Sequence, residues 1–586
     1  MESSLYTPFV LLLQAVWTLA PGLLVAVALR RRELIAAPFV VPVAGLVGCV
    51  IGYGAFWLYF ADVDTGTAYS WITLVDSIAC CATLARQANR RVLASIDVAA
   101  PLVLLAAVAL FYTGLTFGCT TGTDITSLNQ SCHLAGFTGD NLLPQMFADN
   151  LVAGHPRELM WDWQGSDRPP LQSGLVLQQY PLIHLTGWHV TGYETLGVLL
   201  QVLWLPVVWA LCRSARMPGK VLTTVLLLCG CSGFFFYNSV FTWPKLLAGS
   251  LATTAFGLLF LDRRTPWTWG LAGLSAGAAM VAHAGAAFTV IPIALVLLLP
   301  RYRAPRPRGP ASKWMVGLRR AQTPPGLGLA STPTSTPALA ALACAVAVAV
   351  VAPWTAYQKL FDPPGDMLLR LHLGGAAHDG SLTRTLVDAY TRRPLGAVLH
   401  SKLLNLTSFV GHTGYDEGLH IAGTGPIGQL RSYEFLYLVP ALGPGSLALL
   451  ALLLPSVRTR LRHSIDATRF WLMLAVAALC AAALVLIMLG PPGGLPLVHQ
   501  GTYGMVILLY VCLSATLATL PRPLTRTIVA AQLTYFAVMW IALVWHGHTL
   551  HPGYAVLSGV SALAAAVTLK TVSARLDSHE PPPGHS

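Results

Sequence analysis

Charge is what this chain of 586 residues has least of: 10% of its residues are Asp, Glu, Lys or Arg, against 55% apolar. A soluble globule carries about 25% charged residues, so water is excluded as the main solvent. Also missing are a Gly-Lys-Ser/Thr phosphate loop and a dinucleotide fingerprint after a strand, which disfavours ATP and soluble nucleotide-sugar chemistry. The eleven cysteines show no metal-ligand spacing, and Cys49, Cys80, Cys81, Cys229, Cys344, Cys480 and Cys512 sit inside apolar runs as small packing residues. No small-residue cleavage site follows the first apolar run. That run ends on Arg30, Arg31 and Arg32, and is expected to stay as a span with its amino terminus outside. No internal repeat is visible.

What is present in abundance is hydrocarbon. Apolar runs of about eighteen residues or more recur along the chain, each long enough to cross roughly 30 Å as a helix. The expected fold is all-α, a polytopic integral membrane protein of about fourteen or fifteen spans. They are placed near 6–29, 37–60, 68–85, 96–117, 191–212, 220–239, 245–262, 266–283, 285–300, 337–356, 434–455, 468–490, 502–520, 526–545 and 553–570. The net charge of +12 follows topology rather than a nucleic-acid partner. Arg30 to Arg32, Arg86 to Arg91, Arg213 to Lys220, Arg263 and Arg264, the basic residues from Arg301 to Arg320, Arg458 to Arg462 and Arg522 to Arg526 alternate with outer segments, as the positive-inside rule requires.

The chain thus divides into N-terminal spans (1–117), a first long outer loop (118–190), central spans (191–300), a basic Pro-rich cytoplasmic linker (301–337), a span with a second long outer loop (338–433), C-terminal spans (434–570) and a disordered tail (571–586). Both loops exceed ordinary connectors and are the expected seat of function. The second contains semi-apolar pieces such as 394–410, with His400 and Lys402, read as helices lying in the interface. Its Arg384, Arg392, Arg393 and Lys402 run against the charge rule and call for anionic lipid or a phosphate ligand nearby. Cys119 and Cys132 stand apart from the other cysteines in the first loop, where a disulfide is expected.

The first loop carries Gly139-Asp140-Asn141-Leu142-Leu143-Pro144, then Trp161-Asp162-Trp163 and Ser166-Asp167-Arg168-Pro169-Pro170-Leu171. This resembles the first outer loop of the C-type (GT-C) polyprenyl-phosphate-dependent glycosyltransferases, the superfamily of protein O-mannosyltransferases and lipid A aminoarabinose transferases. In that pattern an Asp opens a short helix and a basic-Pro-Pro-Leu element follows. Pro353-Trp354, Asp362-Pro363 and Arg370-Leu371-His372 are similar to its later outer loop. Together the matches cover about a fifth of the chain. Asn141 stands where the pattern usually has an acid, and about three spans precede the Asp loop where it usually has one.

The resemblance implies an inverting glycosyltransferase on the outer face of the plasma membrane of a bacterial cell. It would move a sugar from a polyprenyl-phosphate donor to an envelope glycan, lipid or protein. Asp140 would be the base that takes the acceptor hydroxyl proton, unless it serves only as a helix N-cap. Arg168, Lys245, Arg370 and His372 would contact the donor phosphate or sugar, with surface, snorkelling or interfacial roles as the plain alternatives. Asn141, Asp162, Asp167, His283 and His499 are secondary candidates for acceptor contact, or simply turn formers and structural donors.

A divalent cation, Mg or Mn, is a possible cofactor left open by the residues. Asp62 and Asp64 form a short acidic pair that is weak as a cation site, and His546, His548 and His551 lack an adjoining Cys or acid. From other classes, a lipid or glycolipid flippase and a non-catalytic envelope scaffold remain as alternatives.

Overall fold

The computed structural model describes residues 4–96, 98–121, 130–135, 139–187, 189–262, 265–297, 299, 336–375, 381–409, 425–436, 443–490 and 501–578. The expected linker falls almost entirely outside these residues, and so does His499. Among the described residues the chain is helical, apart from one antiparallel pair of two-residue strands, Cys119–Thr120 with Thr549–Leu550. Among the described residues nine helices are long and apolar enough to cross a membrane: Tyr6–Arg31, Ala37–Ala61, Val63–Leu84, Ala99–Phe117, Val190–Ser214, Thr336–Phe361, Ala467–Ile487, Arg522–Trp545 and Pro552–Ser578. The protein is therefore a multi-pass membrane protein.

Several expected spans take other forms. The run at 220–239 is broken into Gly219–Gly230 and Gly233–Val240, which meet at 55°. Ser232 is extended at the break, and the side chains of Glu434 and Trp540 pack against Gly233, where a Cβ would lie 1.9 Å from a Glu434 carboxylate oxygen. Lys245–Phe260, Ala284–Leu297 and Tyr503–Ala518 are apolar but shorter. Of the expected span 434–455, Gly425–Leu436 covers the first residues and Leu447–Ala451 is a helix of five, while 437–442 lie outside the described residues. At the carboxyl end the helix continues to Ser578, through residues expected to be a tail.

The first loop is shorter than its sequence suggests, because Leu171–Thr186 is a helix packed within the bundle. Its glutamines lower the hydropathy of the run, yet two of them bond internally: Gln172 Nε2 donates to the Thr242 carbonyl at 2.6 Å and Gln179 Nε2 to Thr18 Oγ1 at 3.2 Å. Close backbone approach holds it there. A Cβ on Gly174 would lie 2.3 Å from the Gly52 carbonyl oxygen, and one on Gly48 2.1 Å from that of Thr18.

The second loop folds into Met367–Gly374, Leu382–Thr391, Leu395–Ser408 and Gly425–Leu436. Leu395, Leu399, Leu403 and Leu406 are exposed along one helix at a spacing that makes an apolar stripe. From this helix Lys402 Nζ donates to the Met488 carbonyl at 2.5 Å and Asn405 Nδ2 to the same oxygen at 2.8 Å. The outlying Lys402 is thus spent on a helix C-terminus, where cations are favoured. Cys119 and Cys132 are joined by a disulfide, and the strand pair ties their loop to the last hairpin.

Gly48→Ala is expected to destabilise the protein by about 1–3 kcal/mol through overpacking. Gly270→Ala, at a helical site with nothing within 4 Å of the new Cβ, should be neutral or better. Thermal unfolding in detergent checks this, and equal stabilities for the two variants would count against backbone contact as the constraint.

Candidate functional site

The two long loops meet over one end of the bundle and are pinned to each other by carboxylates. Asp362 Oδ2 accepts from the Ser166 amide at 2.9 Å, and Asp167 Oδ1 accepts from the Met367 amide at 3.0 Å. Gln358 Nε2 donates to the Ser166 carbonyl at 2.9 Å, and Tyr357 Oη to that of Pro156 at 3.2 Å. Asp167 is buried, and burial pushes its pKa up against the pull of the Met367 amide and of Arg168 and Arg370. Its Oδ1 pins one loop to the other, and its Oδ2 is buried without a hydrogen-bond partner.

Asp140 lies in the 3-10 turn Gly139–Leu142 that leads into the helix Leu143–Val152. The cap of that helix falls on Leu142, so the carboxylate is left to face Arg168, with Oδ1 4.0 Å from a guanidinium nitrogen. Asp140 is 27% exposed and open to an approaching group, whereas Arg168 is 10% exposed. The Arg168 guanidinium lies 3.9 Å from the Trp163 ring centroid, and its Nε has no partner. Burial pulls its pKa down, opposed by Asp140, Asp167 and Asp162. Arginine stays charged through such a shift.

Lys245 begins the helix Lys245–Phe260 and is buried. Its ammonium lies 3.0 Å from the Trp243 ring centroid and 5.9 Å from that of Tyr503, and it has no hydrogen-bond partner. Asp140 and Arg168 are both near enough to act on it electrostatically, and Lys245 and Arg168 act likewise on His372. One carboxylate, two cations and an imidazole from four separate segments are therefore gathered together.

His372, expected to contact the donor phosphate or sugar, is buried in the second loop. Its Nδ1 sits 2.5 Å from the Leu368 carbonyl, an acceptor, so Nδ1 carries the proton and the buried Nε2 presents a bare lone pair. Burial pulls its pKa down to about 4. A neutral ring of this tautomer offers Nε2 as a hydrogen-bond acceptor, as a sugar hydroxyl would need.

Arg370 is also placed differently: its Nε is committed to Asp366 at 2.9 Å, making it a brace of the second loop. Asn141 is buried as a tether, its carbonyl accepting from Tyr193 Oη. Asp162 is exposed at the rim. His283 Nδ1 accepts from the Gly285 amide at 3.0 Å, and His283 lines a small pocket together with Lys245.

His283 and His372 also line a larger cavity of about 470 Å³. It runs between Ala284–Leu297, Met367–Gly374 and Ala467–Ile487, with walls that include Phe288, Pro292 and Leu368. Ile291, Leu295 and Leu486 line it and are exposed, so it opens sideways from the bundle. Ordinary span residues make this cavity, and nothing in their sequence marks it. The rings that face the two cations, Trp163 for Arg168 and Trp243 and Tyr503 for Lys245, are not among the candidate residues named from the sequence. Trp161 adds an exposed ring at the rim, with a positive φ of 56°, packed on Gly139 beside Asp140.

The donor sets considered for a metal have other duties. Asp62 caps the helix Val63–Leu84, accepting from the Thr65 amide at 2.8 Å and hydroxyl at 2.7 Å. His551 Nε2 bonds Thr120 Oγ1 at 2.9 Å. The one metal-type grouping among the described residues, Cys119, Cys132 and His548, contains two sulfurs already bonded to each other. Among the described residues, the charged group paired with Asp140 is the Arg168 guanidinium.

Compared with known proteins, the chain matches no family model, no curated protein and no solved structure. The functional reading accordingly rests on the chemistry of the site.

A pH dependence follows from the buried histidines. Burial holds both His372 and His133 at about 4, below the ordinary 6.5. The unfolded chain then binds more protons than the folded one between those values. Stability should be full above about pH 6.5 and fall as pH drops toward about 4. His372→Gln should flatten that decline in a thermal unfolding series; a slope equal to the wild type's would show that His372 does not titrate in the window.

Proposed function

We propose that this protein is an inverting glycosyltransferase that takes a sugar from a polyprenyl-phosphate donor and passes it to a cell-envelope acceptor at the outer face of the membrane. The observation that carries the reading is an apolar cavity that shares His283 and Gly285 with a small pocket lined by a buried, unpartnered ammonium. The cavity suits hydrocarbon, and Lys245 beyond it needs an anion. A lipid-linked phosphate supplies both. The resemblance of the first loop to C-type transferases adds the expected order of Asp140 and Arg168.

In this mechanism the donor tail lies along Phe288, Ile291 and Leu486, and its phosphate sits between Lys245 and Arg168. An acceptor hydroxyl reaches Asp140 from the exposed rim. Asp140 takes the hydroxyl proton as that oxygen attacks the anomeric carbon in line. The bond from the anomeric carbon to the phosphate oxygen breaks with its electron pair, and polyprenyl phosphate leaves with inversion at the sugar. The two cations hold the charge that grows on the phosphate, the task a divalent ion would otherwise perform. His372 Nε2 accepts a hydrogen bond from a sugar hydroxyl, and Trp161 and Asp162 form the acceptor-side rim.

Purified protein in lipid vesicles, given labelled polyprenyl-phosphate sugars, tests this. Asp140→Asn should lower transfer at least about 100-fold with unfolding temperature unchanged. Arg168→Gln should cost about 10- to 150-fold in kcat/KM for the donor, the worth of a hydrogen bond to a charged group. Near-normal turnover by Asp140→Asn removes Asp140 from the mechanism, and movement of labelled lipid across the vesicle without transfer replaces the enzyme with a transporter.

A further inference from the structure

A second groove lies away from the site described, between Gly219–Gly230 and Pro552–Ser578, with a volume of about 540 Å³. The helices run antiparallel, since Gly219 packs against Ser573, Leu576 and Asp577. Its lining changes character along the axis. At one end Lys220 Nζ stands 3.8 Å from Asp577 Oδ2. About one turn further come Thr223, Thr224 and Ser573, with Lys570 beside them, and beyond these the lining is Leu227, Leu569 and Ala566. From Lys220 to Leu227 this takes about 10 Å of helix. Charge, hydroxyl and hydrocarbon thus follow one another over the depth at which a phospholipid shows the same succession.

The charges do not cancel. Two ammonium groups face one carboxylate, and Lys570 has no acidic partner among the described residues. The hydroxyls are already used as donors: Thr223 and Thr224 both donate to the Lys220 carbonyl, at 3.1 and 2.8 Å, and Ser573 to Asp577 at 3.3 Å. What they offer a ligand is lone pairs, which accept from a hydroxyl and repel a bare phosphate oxygen. The charged end belongs to the basic stretch with Arg213 and Arg216, which the charge rule assigns to the cytoplasmic side.

We propose that this groove is a binding site for an anionic phospholipid with a hydroxyl-bearing headgroup, of the phosphatidylglycerol type, drawn from the leaflet on the basic side. Lys220 and Lys570 hold the phosphate, the Thr223 and Thr224 oxygens accept from the headgroup hydroxyls, and an acyl chain lies over Leu227 and Leu569. The inference is independent of the transferase reading, since none of these residues belongs to that site.

The test uses the full-length protein in detergent, titrated with phosphatidylglycerol or phosphatidylcholine of identical acyl chains, with bound lipid counted by native mass spectrometry. Phosphatidylglycerol should bind at least tenfold tighter. The Lys220→Gln, Lys570→Gln double variant should lose that preference, and Lys220→Arg, Lys570→Arg should keep it, with unfolding temperatures establishing that both are folded. Equal binding of the two lipids overturns the proposal, as does a preference that survives in the glutamine variant. Displacement of the lipid by soluble glycerol phosphate at equal concentration overturns it too, because the acyl chain would then contribute nothing.

Discussion

A positive charge without a hydrogen-bond partner, sunk where water does not reach, is the constraint around which the loop-bearing end of this molecule is arranged. The Lys245 ammonium rests on the Trp243 ring, a weaker stabiliser than a carboxylate. The nearest balancing charge, on Asp140, is already turned toward Arg168. Asp162 and Asp167 also act on Arg168, so Lys245 is the cation of the cluster left without a hydrogen-bonded counter-ion. The imidazole of His372 is kept neutral by burial, so it does not add a third charge, and Arg370 is paired with Asp366, which Lys359 also approaches at 3.7 Å.

Holding such groups together requires that the loops carrying them not drift. Asp362 and Asp167 do this with bonds to backbone amides of the opposite loop, the kind of charge-assisted contact that fixes geometry as well as energy. The aromatic cluster of Phe56, Phe147, Trp354 and Tyr357 lies beneath, with ring centroids 4.9 to 6.4 Å apart. The second loop is thus anchored to the span before it, to the first loop and, through Lys402 and Asn405, to the end of Ala467–Ile487.

How much of this was legible in the residues depended on whether a feature is local. The spans announce themselves as apolar runs, and Cys119 and Cys132 as the cysteines placed outside them. Asp140 and Arg168 stood out because each lies in a short element of one loop pattern. The state of His372 was hidden, for it depends on a carbonyl of its own helix and on burial by elements far along the chain. The helix Leu171–Thr186 was hidden because hydropathy counts a glutamine as polar whether or not Thr18 or Thr242 waits for it. The break after Gly230 was hidden because its cause includes Glu434 and Trp540, some two hundred residues or more away. The side cavity was least visible of all, since Leu, Ile and Phe in a span say nothing of which gaps they leave.

The sideways mouth of that cavity, at Ile291, Leu295 and Leu486, has a bearing on kinetics. A guest that arrives through it diffuses in two dimensions, and what sets occupancy is its mole fraction in the leaflet, not its concentration in bulk. Saturation would then be reached by changing bilayer composition at fixed total lipid, and diluting a vesicle suspension with buffer would leave the rate per protein unaltered.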